Sequence, residues 1–146
     1  NYVATLVSGG EHYAAHLLKS VKSYDNSRLI YNYDEKPIND MNISDSTMAA
    51  VTKGMHDLTH DSLTSAFSRC MVEAGAKTGS AQVGTDIANG VFVAYAPYDD
   101  PEIAVAIVVE KGGSGSLLAN AAVDIINAWF SRGSSSVTTG ENTLLQ

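Results

Sequence analysis

The sequence predicts an α+β fold, an antiparallel sheet with helices packed on it. Three observations carry that prediction. Residues 90–96 and 102–110 are apolar runs of strand length, joined by a Pro97-Tyr98-Asp99-Asp100-Pro101 turn. Ahead of them, residues 74–82 read Ala-Gly-Ala-Lys-Thr-Gly-Ser-Ala-Gln. As a strand, this segment sets Thr78, Ser80 and Gln82 on one face and Gly79 on the other. After them, Leu117, Leu118, Ala121, Ala122, Ile125, Ile126, Trp129 and Phe130 share one broad helical face, with Asn120, Asp124 and Asn127 opposite.

Taken in order, the chain opens on Tyr2, Val3, Leu6 and Val7 at helical spacing, in a helix expected to begin before residue 1. Ser8-Gly9-Gly10 ends it with residues tolerant of a left-handed turn. Residues 16–21 and 28–33 flank Asp25-Asn26-Ser27 and read as a hairpin. Ser44 is suited to cap a helix in which Met48, Val51, Met55 and Leu58 form one apolar stripe. Residues 59–73 then connect, in partly helical form, to the Lys77 strand. The two strands that follow are apolar on both faces, which calls for helices on both sides, and Ala104 and Ala106 offer a face for close helix approach. Lys111-Gly112-Gly113-Ser114-Gly115 is a loop without the pattern of a phosphate cradle. From Ser131 onward Ser, Thr, Gly and Asn dominate, so residues 131–146 are expected to form a flexible tail. No segment repeats.

With 146 residues, the chain is one domain or part of one. A net charge of −7 without a basic cluster argues against nucleic acid as a partner. No apolar run reaches the length of a membrane-spanning helix. A single cysteine, Cys70, forms no disulfide within the chain. The chain opens on Asn1 in the middle of a pattern and reads as a piece of something longer.

Lys77-Thr78-Gly79, a strand ending Ala96-Pro97, an Asp99-Asp100-Pro101 turn, a long apolar strand and a closing helix follow one another in an order that resembles the penicillin-binding proteins. The likeness is greatest to the class B peptidoglycan D,D-transpeptidases of the bacterial cell wall. It covers residues 1–130, which would form the C-terminal half of a transpeptidase domain of the penicillin-binding and serine β-lactamase type. The resemblance implies acyl transfer on a serine, cross-linking of peptidoglycan stem peptides through an acyl-enzyme, and inhibition by β-lactam antibiotics. In such proteins a Ser-x-x-Lys supplies nucleophile and base, and a Ser-x-Asn assists proton transfer. Neither pattern occurs in this chain. An N-terminal remainder bearing both would be the partner, and this chain alone would be inactive. A membrane anchor at the N-terminus and an extracytoplasmic location are also implied.

Only the third motif carries over. The resemblance gives Lys77 the role of placing positive charge under the site and the Thr78 and Ser80 hydroxyls that of binding a terminal carboxylate. The Ser80 N–H would form half of an oxyanion hole, Gly79 would permit close packing, and Gln82 would line the outer cleft. Two other readings share the strand: a β-lactam sensor or hydrolase, and a peptidoglycan-recognition module without turnover.

No cofactor is required by the family, but a second constellation suits a structural zinc. His56 and His60 lie one helical turn apart, Asp57 is beside them with Asp61 as substitute, and Cys70 can return from the connection. The bland alternative is solvated aspartates, histidines favoured by a helix C-terminus and a buried thiol. His12 and His16 read as surface or packing residues. Cys70 makes a poor nucleophile, because no oxyanion pattern surrounds it.

Overall fold

The computed structural model describes residues 1–85 and 87–131, so residues 132–146 of the expected tail lie outside the described residues. Its centre is a three-stranded antiparallel sheet, β5 (Gly75–Ala81), β6 (Asn89–Ala96) and β7 (Ile103–Val109), in that spatial order. β6 alternates its side chains between two cores. Phe92, Ala94 and Ala96 meet helices α3 (Thr64–Phe67) and α4 (Ala119–Phe130) on one face, with Phe67, Val123 and Ile126 buried among them. Tyr95 meets Val3 and Leu6 of α1 (Tyr2–Val7) and Met55 of α2 (Asp45–His60) on the other. The α+β class and its helical layers are as expected.

α1 ends where expected, with Gly9 and Gly10 at φ 78° and 102°. The predicted hairpin is β2 (Ser20–Lys22) against β3 (Leu29–Asn32), shorter than the runs that announced it. Both strands are exposed throughout, so the arm adds nothing to either core. Its base is closed by a pairing that was not expected, β1 (Glu11–Tyr13) with β4 (Pro37–Asp40). A strand of three residues shows no readable alternation.

The Ser44 hydroxyl accepts from the Thr47 N–H at 3.3 Å and starts α2 as anticipated. Met55 is buried and Met48 and Leu58 are half-buried, but Val51 is 41% exposed. The helix buries Met55 and Thr59 in its C-terminal half, which leaves Val51 near its start in water.

Two further expectations are corrected. β7 is not covered on both faces: only Val105 is buried, and Val108 is 64% exposed. α1 does lie over the Ala104 and Ala106 side, yet with six residues it covers only part of that edge strand. The buried face of α4 is Ala119, Ala122, Val123 and Ile126, whereas Leu117, Ala121 and Ile125 are exposed. Of the predicted face only the Ala122 and Ile126 side is turned to the sheet, joined there by Ala119 and Val123, and Leu117 lies ahead of the helix in a 3₁₀ turn over Gly115–Leu118.

Candidate functional site

β5 is an edge strand. It pairs with β6 in unbroken register from Gly75↔Tyr95 to Ala81↔Asn89, and among the described strands none lies on its other side. That free edge offers main-chain donors and acceptors to an extended partner. The register places Thr78 opposite Phe92 and Ser80 opposite Gly90, so both hydroxyl residues sit on the α4 face, near the end of the sheet. Thr78 is half-buried and Ser80 is exposed, its hydroxyl donating to the Gly113 carbonyl at 3.4 Å. Lys77 is exposed, and its Nζ donates to the Thr78 carbonyl at 2.8 Å. Its ammonium enters no ion pair among the described residues, so the charge is available to an anion. Gln82 lies beyond the last strand residue and its amide donates to the Gly84 carbonyl at 3.2 Å, so the alternation does not extend to it. A concavity of about 360 Å³ lies elsewhere, between α2, α3 and residues 70–74.

Close packing near the strand depends on a different glycine from the expected one. A Cβ on Gly79 would meet Val91 at an ordinary 3.4 Å. A Cβ on Gly115 would lie 2.2 Å from the Val91 carbonyl oxygen, 2.3 Å from that of Gly79 and 2.8 Å from the Gly79 nitrogen. The 3₁₀ turn therefore rests on the backbone of the Lys-Thr-Gly segment, and only a glycine fits there. The same loop is tied down by the Gly113 N–H donating to the Ala88 carbonyl at 2.8 Å.

The entry to β5 is held from two sides. The Asn127 amide donates to the Arg69 carbonyl at 2.9 Å, and its oxygen accepts from the Met71 N–H at 2.8 Å. The Arg69 guanidinium pairs with Asp124 and donates to the Asn120 carbonyl at 3.0 Å. This hydrogen bonding holds the Asp124 carboxyl below its usual range. The polar side of α4, opposite its apolar face, thus binds the connection. On the other side, the buried Thr59 hydroxyl lies 3.2 Å from the Ala74 carbonyl.

The histidine constellation assembles with a different third member. The His56 and His60 rings lie 4.3 Å apart, as their spacing predicts. Asp57, however, pairs with Lys53, and that hydrogen bond holds its carboxyl below the usual range. Cys70 packs against the α3–α4 core, where burial pushes its thiol up and away from the thiolate a metal needs. The group that meets both imidazoles is Glu73, whose Oε2 lies 3.1 Å from Nε2 of each. Glu73 escaped sequence reasoning because only the tertiary fold brings it to α2. Of the remaining histidines, His16 stacks on Tyr33 at 3.5 Å and His12 approaches Asn39 at 3.2 Å, both in packing roles.

Comparison with known proteins finds the family model "Penicillin binding protein transpeptidase domain" matching residues 1–127. Penicillin-binding protein 2B of Streptococcus pneumoniae is 33% identical, over 88% of this chain and 21% of that protein. Peptidoglycan D,D-transpeptidase PbpA of Mycolicibacterium smegmatis is 46% identical over a shorter stretch, 29% of this chain and 9% of that one. Among solved structures, penicillin-binding protein A from M. tuberculosis as an imipenem acyl-enzyme complex superposes with a TM-score of 0.76 at 27% identity, over 87% of this chain and 28% of the other. The chain thus spans a minor part of each relative.

Proposed function

Because the chain belongs to the penicillin-binding protein transpeptidase family, we propose that it supplies the substrate-holding strand of a class B serine D,D-transpeptidase. In this reading an N-terminal remainder carries Ser-x-x-Lys and Ser-x-Asn, and the assembled enzyme works on the extracytoplasmic side of a bacterial membrane. Its substrate is a peptidoglycan stem peptide ending in D-Ala-D-Ala, with β-lactams as mimics. The observation that carries the reading is the free edge of β5 bearing Lys77, Thr78 and Ser80, in a chain whose family model spans that strand.

The chemistry follows from the donors available. The Thr78 and Ser80 hydroxyls bind the terminal carboxylate, the Lys77 ammonium places positive charge under the site, and the strand's free edge aligns the peptide. The serine oxygen attacks the penultimate D-alanine carbonyl, and the negative oxygen that forms accepts from the Ser80 N–H and from the nucleophile's own N–H. Collapse releases D-alanine, and an amine of a second stem peptide then takes the acyl group. Losing one oxyanion donor typically costs about 2.7–4 kcal/mol of transition-state stabilisation.

The test uses the full-length enzyme and a fluorescent penicillin. Label is expected on a serine outside this chain, with slower acylation in Thr78→Val and Ser80→Ala. Wild-type rates in both variants would remove the carboxylate-binding role. Absence of label would favour the recognition module without turnover.

A further inference from the structure

We propose that His56, His60 and Glu73 form a binding site for a divalent transition metal such as zinc, which fastens α2 to the entry of β5. The site stands apart from the acyl-transfer reading and its test does not depend on it.

Distances fit first. The ligand atoms of the three residues all lie within 4.8 Å of one another. Tetrahedral zinc with bonds of about 2.0–2.1 Å sets its ligand atoms about 3.4 Å apart. Both Nε2 atoms lie 3.1 Å from Glu73 Oε2, close to that separation.

Proton placement points the same way. His60 Nδ1 is 3.2 Å from the His56 carbonyl and 3.1 Å from the Thr59 hydroxyl. The Thr59 hydroxyl itself faces carbonyl acceptors, at 2.7 Å from His56 O and 3.2 Å from Ala74 O. Nδ1 therefore faces acceptors and carries the proton. The other ring nitrogen, Nε2, is then the atom set beside Glu73 Oε2, at 3.1 Å. A histidine whose Nδ1–H donates to a main-chain carbonyl while Nε2 is free is the arrangement metal-binding histidines use.

The surroundings are built to hold the ligands. The Glu73 carbonyl accepts from the Tyr98 N–H at 2.9 Å, and the next carbonyl faces Thr59, so the glutamate's backbone is fixed at both ends. The His56 ring packs 4.2 Å from Tyr98. His60 and Glu73 are exposed, so an ion can enter, and the fourth position is left to water. Imidazole and carboxylate donors suit zinc, nickel or cobalt over calcium or magnesium.

The test measures zinc bound to the intact protein by equilibrium dialysis and elemental analysis, with affinity from competition against a chromophoric chelator. His60→Gln and Glu73→Gln alter exposed side chains, and circular dichroism checks that both variants fold. One zinc per chain is expected to disappear in each variant, or to bind more than about tenfold more weakly, the scale seen on losing even an outer partner of a metal ligand. Cys70→Ser and Asp57→Asn should bind as wild type does. Failure of the wild type to take up zinc at sub-millimolar concentration would overturn the proposal. Unchanged binding in His60→Gln and Glu73→Gln, or loss of binding in Cys70→Ser, would overturn it equally.

Discussion

Substituting Gly115 with alanine should injure the Lys77-Thr78-Gly79 strand without touching it. The new Cβ would stand 2.2 Å and 2.3 Å from the carbonyl oxygens of Val91 and Gly79. Carbon and oxygen settle at about 3.3 Å or more. The 3₁₀ turn and the strand must therefore separate by roughly 1 Å. Forcing a methyl group into a filled site costs typically 1–3 kcal/mol. The atoms that must yield belong to main chain, so no side-chain rotation relieves the clash. A displacement of roughly 1 Å at a positioning element can slow a reaction by about 10²-fold. The assay pairs a urea unfolding midpoint with the second-order rate of acylation by a fluorescent penicillin, both on the full-length enzyme. Gly54→Ala is the control: a Cβ there meets nothing within 4 Å, and the change should stabilise the interior of α2 by about 0.5–1 kcal/mol. A Gly115→Ala enzyme with wild-type stability and acylation rate would refute the packing argument. Lost stability with an unchanged rate would refute the link from turn to strand.

Other outcomes follow from particular contacts. Asn127→Ala removes two hydrogen bonds to the main chain at Arg69 and Met71, so it should lower stability by roughly 1–3 kcal/mol in urea unfolding, at about 0.5–1.5 each. The Tyr95 hydroxyl is buried without a partner among the described residues, and burial pushes its pKa up to about 12. Tyr95→Phe should therefore leave stability unchanged or raise it by about 1 kcal/mol, and a clear loss would reveal a partner. Hydrogen bonds from Ser23 and then Ser27 hold the Asp25 carboxyl at about 2, below its ordinary value of 3.8. Its support of the β2–β3 turn is thus complete above the usual carboxylate range and is lost as pH falls toward 2. An NMR titration of Asp25 should show the low value, and Ser23→Ala should raise it.

Much of this fold was legible because its signals are local. Ser44 announces α2, Gly9 and Gly10 close α1, and two apolar runs separated by a short turn can hardly avoid pairing as β6 and β7. The strand with Lys77 was legible from its motif and its neighbours. What escaped reading depends on distance or on phase. β1 and β4 are short and far apart in sequence, and the apolar face read for α4 was broad enough to leave its orientation on the sheet open. Asn127 read only as part of the side opposite the apolar face of its helix, and Glu73 carried no signal of its own. Their partners, the α2 histidines and the main chain at Arg69 and Met71, become neighbours only once the helices have packed.

The Asn127 amide imitates a strand neighbour, giving and taking one bond each along a stretch of chain that has no ladder of its own. A residue near the close of the described chain thereby governs how the segment ahead of Lys77 is threaded. Under the proposed function, variation in α4 would retune the grip on a β-lactam or a stem peptide while every residue that touches either stays as it was.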